Sequence, residues 1–259
     1  MEIRIYKKLD LNQPIMLAGA PGMGLVAKQV VDYCIVKLHS ELIGSIPAPY
    51  DHQPIAVFDK YGLLQPLRQR DPYRFYISKR ENKRDLIFFS ADLQPSLPER
   101  QNELADVVAL AAKQLNVRRI YTAAALPVPT RVDVPRIYGV ASKPELMSLL
   151  TDRGVIPMAG EVSGFNGVLI EYAWRRGIEA ICLLGETYVY HIGNPYDPID
   201  YKASLALVKK FSEIEGIEID VVELESEAKR CDERIKGLER EFEKKTQALK
   251  SADDLRYIG

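Results

Sequence analysis

Histidine and cysteine are scarce in this chain, with three of each among 259 residues, and together they exclude several chemistries. Cys34, Cys182 and Cys231 are odd in number, widely spaced and never arranged as Cys-x-x-Cys, which argues for a reducing compartment and against a disulfide framework. His39, His52 and His191 stand far apart, and none has a cysteine or carboxylate at metal-ligand spacing, so no metal site is expected. No run of about 18 apolar residues occurs, and Met1 to Leu11 alternates charged and apolar residues, so neither a membrane span nor a signal peptide is expected. Net charge is missing as well. Against 35 Lys and Arg stand 36 Asp and Glu, and a formal charge of -1 gives no general field for nucleic acid or an anionic membrane. These features point to a cytoplasmic protein.

The chain does have the composition of a folding globular protein, 47% hydrophobic and 27% charged, and the length to bury a full core. Short apolar runs at Ile15–Ala18, Leu42–Ile46, Ile55–Phe58, Phe75–Ser78, Leu86–Ala91, Arg119–Ala124, Ile137–Ala141 and Ala180–Leu184 read as strands, several of them buried on both faces. Between them, helical patterns cover Leu97–Leu115, Lys143–Thr151, Gly167–Arg176 and Pro198–Glu215, with another over Leu25–Leu38 after the first strand. Ser142 and Asp197 suit N-caps and Gly177 a C-cap. Gln53–Arg80 reads as a meander or hairpin. The alternation predicts an α/β fold, a sheet flanked by helices, over residues 1–222.

Residues 223–250 differ in kind. Leu224, Ala228, Cys231, Ile235, Leu238, Phe242, Lys245 and Leu249 recur at heptad a/d spacing among charged residues, which predicts a long charged helix with one apolar seam. Such a coiled-coil-like seam suits either a helix lying on its own domain or one docking on another subunit. Residues 251–259 are expected to form a flexible tail.

Two glycine-rich turns are the places to look for a ligand. Gly19-Ala20-Pro21-Gly22-Met23-Gly24 joins a strand to a helix, but lacks the Gly-Lys-Ser/Thr of a P-loop and the order of a dinucleotide fingerprint. The stretch Gly160 to Gly167 also leads into a helix, and Ser163 has Glu161 and Phe165 where a nucleophile elbow needs glycines. Tight backbone geometry is the simpler reading of both. Gly19, Gly22, Gly24, Gly164 and Glu186 are the candidates if a ligand binds, and Glu186, Tyr188 and His191 could form a polar pocket after the strand Ala180–Leu184. Lys79-Arg80-Glu81-Asn82-Lys83-Arg84 reads as a solvated hairpin turn. No complete catalytic constellation, cofactor motif or metal set is present. Glu161, Glu186 and Arg131 are loose candidates only.

The first glycine turn, the Gly160–Gly167 loop with its helix, the strand Ile181–Leu184 leading to Gly185-Glu186-Thr187, and Asp197-Pro198 together resemble the family of the second eukaryotic proteasome assembly chaperone and its archaeal homologues. The resemblance spans Ile15 to Val222. It implies an α/β sandwich of the phosphorylase/hydrolase-like group, homo-oligomers, and a non-catalytic role in assembling rings of proteasome α subunits. In some archaeal members a C-terminal tail ending hydrophobic, tyrosine, any residue engages the ring; here Leu255, Tyr257, Ile258 and Gly259 are the counterpart, with the tyrosine one place early. The alternative is an enzyme on a nucleotide or phosphorylated substrate, ATP-grasp-like or nucleoside-processing.

Overall fold

A computed structural model describes residues 1–47, 57–58, 61–65, 71–189 and 198–256, and the backbone alone at 57–58, 65 and 242–256. In chain order the elements are β1 (Arg4–Ile5), β2 (Ile15–Gly19), a 3-10 turn (Met23–Leu25), α1 (Val26–Lys37), β3 (Glu41–Ile46), β4 (Val57–Phe58), β5 (Leu64–Gln65), β6 (Tyr73–Ser78) and β7 (Leu86–Ala91). They continue as α2 (Pro98–Gln114), β8 (Arg119–Val128), β9 (Ile137–Ala141), α3 (Pro144–Thr151), β10 (Ile156–Pro157), α4 (Phe165–Arg175), β11 (Glu179–Tyr188), α5 (Tyr201–Glu215) and α6 (Val222–Arg256).

Nine strands form one sheet in the order β1-β3-β6-β7-β2-β8-β11-β9-β10, with β7, β2, β8 and β11 mutually parallel at its centre. The parallel strands are mostly apolar because both faces are covered, with Ser90, Arg119, Thr122, Glu186 and Thr187 as their buried polar residues. On β2, Met16 and Ala18 face α2 and α4, while Ile15 and Leu17 face α1 and α5. This is the predicted sheet flanked by helices. β4 and β5 pair with each other in a separate hairpin; of the expected strand Ile55–Phe58, residues 55 and 56 lie outside the described residues.

Three expectations need correction. The strand ending at Leu184 continues to Tyr188, because β8 runs on beside it to Val128 and the ladder pairs Glu186 with Leu126 and Thr187 with Pro127. Beyond Thr122, β8 is no longer paired with β2, which makes Pro127 tolerable in a strand. The N-cap of α5 is Asp200, whose carboxylate accepts the Ala203 N–H at 2.9 Å; Asp197 lies outside the described residues. Ser142 does not cap α3, since its Oγ accepts the Ala180 N–H and ties the helix entry to β11. β1 and β10 went unpredicted, being two residues each and too short to show a period.

Helix α6 lies against α5, and Leu224, Ala228, Cys231 and Ile235 are buried there, so the first half of its seam is used in cis. Leu238, the next seam position, is 45% exposed. The helix continues through Leu255 to Arg256. Tyr257, Ile258 and Gly259 lie outside the described residues.

Candidate functional site

The two glycine turns meet. The first sits beyond the carboxyl end of the central strand β2, the edge of an open parallel sheet at which ligands bind, and the second follows the edge strand β10 and crosses to meet it. Between them lies a cleft of about 510 Å³, within the size range of small-molecule sites. One wall is Gly22, Met23 and Ala27 at the start of α1, and the opposite wall is residues 161–164 with Asn166 at the start of α4. Leu184, with Ala124 to Pro127 of β8, lines it from the sheet, and Gln94 and Gln101 close it at the α2 end.

Asn166 joins the walls. Its Oδ1 accepts the Ala20 N–H at 2.9 Å and its amide donates to the Ala20 carbonyl at 3.1 Å, so a buried side chain completes a backbone pair. Neither the 3-10 turn nor α4 has a side-chain cap of its own; Gln94 Oε1 accepts the Phe165 N–H at 3.2 Å and caps α4 from another element.

The five candidate ligand residues fall into different roles. Gly22 and Gly164 line the cleft. Gly19 supports close packing, since a Cβ there would come within 2.5 Å of the Ala27 carbonyl oxygen. Gly24 has φ +58° and packs on Thr187 and Asp200, and its carbonyl accepts the Asp200 N–H at 2.9 Å. Glu186 is elsewhere. It is buried in β11, where the Arg136 backbone N–H donates to it at 3.0 Å and the guanidinium at 2.6 and 2.7 Å. Burial pushes its carboxyl up, but these bonds outweigh that and hold it below the usual carboxylate range.

Glu186 and Tyr188 do line a common space, beneath α6, with Arg131, Lys202 and Asp232. Its volume of about 20 Å³ is room for little more than one water. This is a fastening point for the helix. Asp232 receives Lys202 at 2.7 Å, Lys236 at 2.8 Å and Arg131 at 3.1 Å, while Glu239 receives Tyr188 at 3.1 Å and Arg131 at 3.4 Å. Burial raises the Asp232 carboxyl, yet the lysine and arginine partners win and lower it to about 2. His191 lies outside the described residues, and Glu161 is exposed on the rim of the large cleft, apart from this cluster.

The remaining candidates are absorbed by structure. Lys79 pairs with Asp85 at 2.9 Å and Arg84 with Glu215 at 3.6 Å, which uses the basic turn in cis. Cys34 and Cys182 are buried, and burial pushes both thiols up to about 12. Among the described residues no three His, Cys, Asp or Glu side chains stand as a metal-ligand group, and no helix is long and apolar enough to cross a membrane. The cleft itself was missed as a unit: each glycine turn was legible, while the contact between them had no local signal.

Comparison with known proteins bears on the whole chain. Residues 16–239 match the profile of the PAC2 family. An uncharacterized protein of Methanocaldococcus jannaschii is 29% identical over 255 residues, covering 96% of this chain and 93% of its own. Among solved structures, Pyrococcus furiosus PbaB, described as an archaeal proteasome activator, superposes with a TM-score of 0.74 at 24% identity, covering 92% of this chain and 98% of its own. P. furiosus PbaA, described as an archaeal homolog of proteasome-assembly chaperone, gives 0.69 at 24% identity over 94% and 99%. A PAC2 family protein of Streptomyces avermitilis gives 0.71 at 22% identity over 87% and 95%.

Proposed function

The chain belongs to the PAC2 family, and from that membership we propose that it is a proteasome-assembly chaperone-like protein that acts by binding proteasome α subunits and aiding ring assembly. The observation that carries this reading is the full-length likeness to PbaB, which leaves no large part of either chain unmatched. The likeness to PbaA, described as a homolog of an assembly chaperone, supports the same role.

In this reading the protein works in the cytoplasm as a homo-oligomer, without catalysis or cofactor. The residues Leu255, Tyr257, Ile258 and Gly259 are the proposed contact with the α ring. α6 carries Leu255 at its far end, well along the helix from its fastening at Asp232 and Glu239. A short hydrophobic and aromatic segment carried by such an arm suits insertion into a pocket between subunits.

The test is a pull-down of purified α subunits from the same source with the full chain, beside a version lacking residues 253–259. Retention by the full chain and loss in the truncation is the expected result. Equal retention by both would remove the tail from the proposal, and retention by neither would remove the chaperone role.

A further inference from the structure

The cleft between the glycine turns contains one glycine whose presence the backbone does not explain. Gly22 has φ -154° and ψ -161°, extended geometry open to residues with side chains. A Cβ built there would meet only Asn166 Nδ2, at 3.8 Å, which is ordinary contact. Gly167, in the first turn of α4 and not part of the cleft lining, contrasts with it, since a Cβ there would collide with the Val162 carbonyl oxygen at 1.8 Å. Gly22 thus keeps open a volume that the fold could fill.

The chemistry of that volume is specific. Among its described lining residues Glu161 is the single charged side chain, and no lysine, arginine or histidine faces it. A phosphate or carboxylate would find no counter-ion there and would meet Glu161 at the rim. What does face it is amide and aliphatic surface. Gln94 Oε1 is engaged with the Phe165 N–H, while its Nε2 has no partner among the described residues. Gln101 donates one Nε2 N–H to the Pro95 carbonyl and keeps its Oε1. A donor and an acceptor are therefore left beside the apolar surface of Met23, Leu126, Met158 and Leu184. Methionine walls adapt to differently shaped aliphatic groups.

We infer that this cleft binds one apolar residue of an extended, uncharged peptide segment, with the side chain against the methionine and leucine surface and the main-chain amide read by Gln94 and Gln101. A main-chain unit offers one N–H and one C=O, for which Gln101 Oε1 is an acceptor and Gln94 Nε2 a donor. The inference does not depend on α subunits being the partner, because its probe is a free amino-acid derivative.

The experiment is a titration of the ¹⁵N-labelled full chain with N-acetyl-leucinamide, following the side-chain amide signals of Gln94, Gln101 and Asn166, with N-acetyl-lysinamide and inorganic phosphate in parallel. Saturable shifts of those three signals with the leucine derivative, and weaker ones with the other two, are expected. Gly22→Leu and Ser163→Phe, which fill the cleft from opposite walls, should each weaken binding more than roughly tenfold, with unchanged thermal unfolding as the check of the fold. No shift at the three amides, equal shifts with phosphate, or full binding in both folded variants would overturn the assignment.

Discussion

Asn166 and Ala20 are 146 residues apart in the chain, and the side-chain amide of the one satisfies both backbone groups of the other, at 2.9 and 3.1 Å. That single side chain holds the first glycine turn to the start of α4 and so sets the width of the cleft. Asn166→Ala would leave the Ala20 N–H and C=O buried and unpaired. The expected loss is about 1–3 kcal/mol for the unpaired groups, measured as a lower urea midpoint at unchanged slope.

Gly22 and Gly167, one in each glycine turn, are under opposite constraints. Gly22→Ala should stay within about 0.5 kcal/mol of the parent, since its Cβ enters open space. Gly167→Ala should cost about 3 kcal/mol by forcing the Val162 backbone away from α4. Thermal unfolding of the pair measures both, and a costly Gly22→Ala would contradict the open geometry.

Helix α6 should be held less firmly in acid. The Asp232 carboxyl stands at about 2 in the folded protein against an ordinary 3.8, a depressed value. Its stabilisation is therefore fully present above pH 3.8 and is lost as pH falls through about 2. Amide hydrogen exchange along α6 should be faster in Asp232→Asn than in the parent above pH 4, and the difference should vanish as pH falls toward 2. A difference that persists at low pH would assign the fastening to other contacts.

The seam of α6 should show an abrupt energetic boundary. Ile235 is 3% exposed and Leu238 45%, so Ile235→Ala should cost about 2–5 kcal/mol while Leu238→Ala stays within about 0.5 in the isolated chain. Denaturant unfolding of each variant tests this. A large cost at Leu238 would mean that a second chain covers it.

Thiol labelling offers a separate check on the core. Cys34 and Cys182, buried and held protonated, should resist a thiol reagent in the native protein and react at the rate of unfolding. Fast native labelling at either would place it at an accessible surface.

Much of this protein was decided locally and was legible in its residues. Apolar runs such as Leu86–Ala91 and Ile137–Ala141 became strands with the expected bounds, because such residues gain burial on a sheet covered on both faces. The order of the two glycine turns, of Ile181–Leu184 with Gly185-Glu186-Thr187, and of Asp197-Pro198 carries the resemblance to the family. Tertiary structure decided the rest. β11 runs on through Gly185 and Glu186 because β8 offers it a ladder, which turns a predicted loop pocket into a strand pinned by Arg136. Asp200 caps α5 instead of Asp197, with its own N–H bonded to Gly24 in the first turn. The first half of the α6 seam went to α5 and not to another subunit because Leu224 to Ile235 meet an apolar face of the same chain. Periodicity reports which side of an element is apolar; which partner buries it, and which distant amide satisfies a buried turn, follow only once the chain has closed on itself.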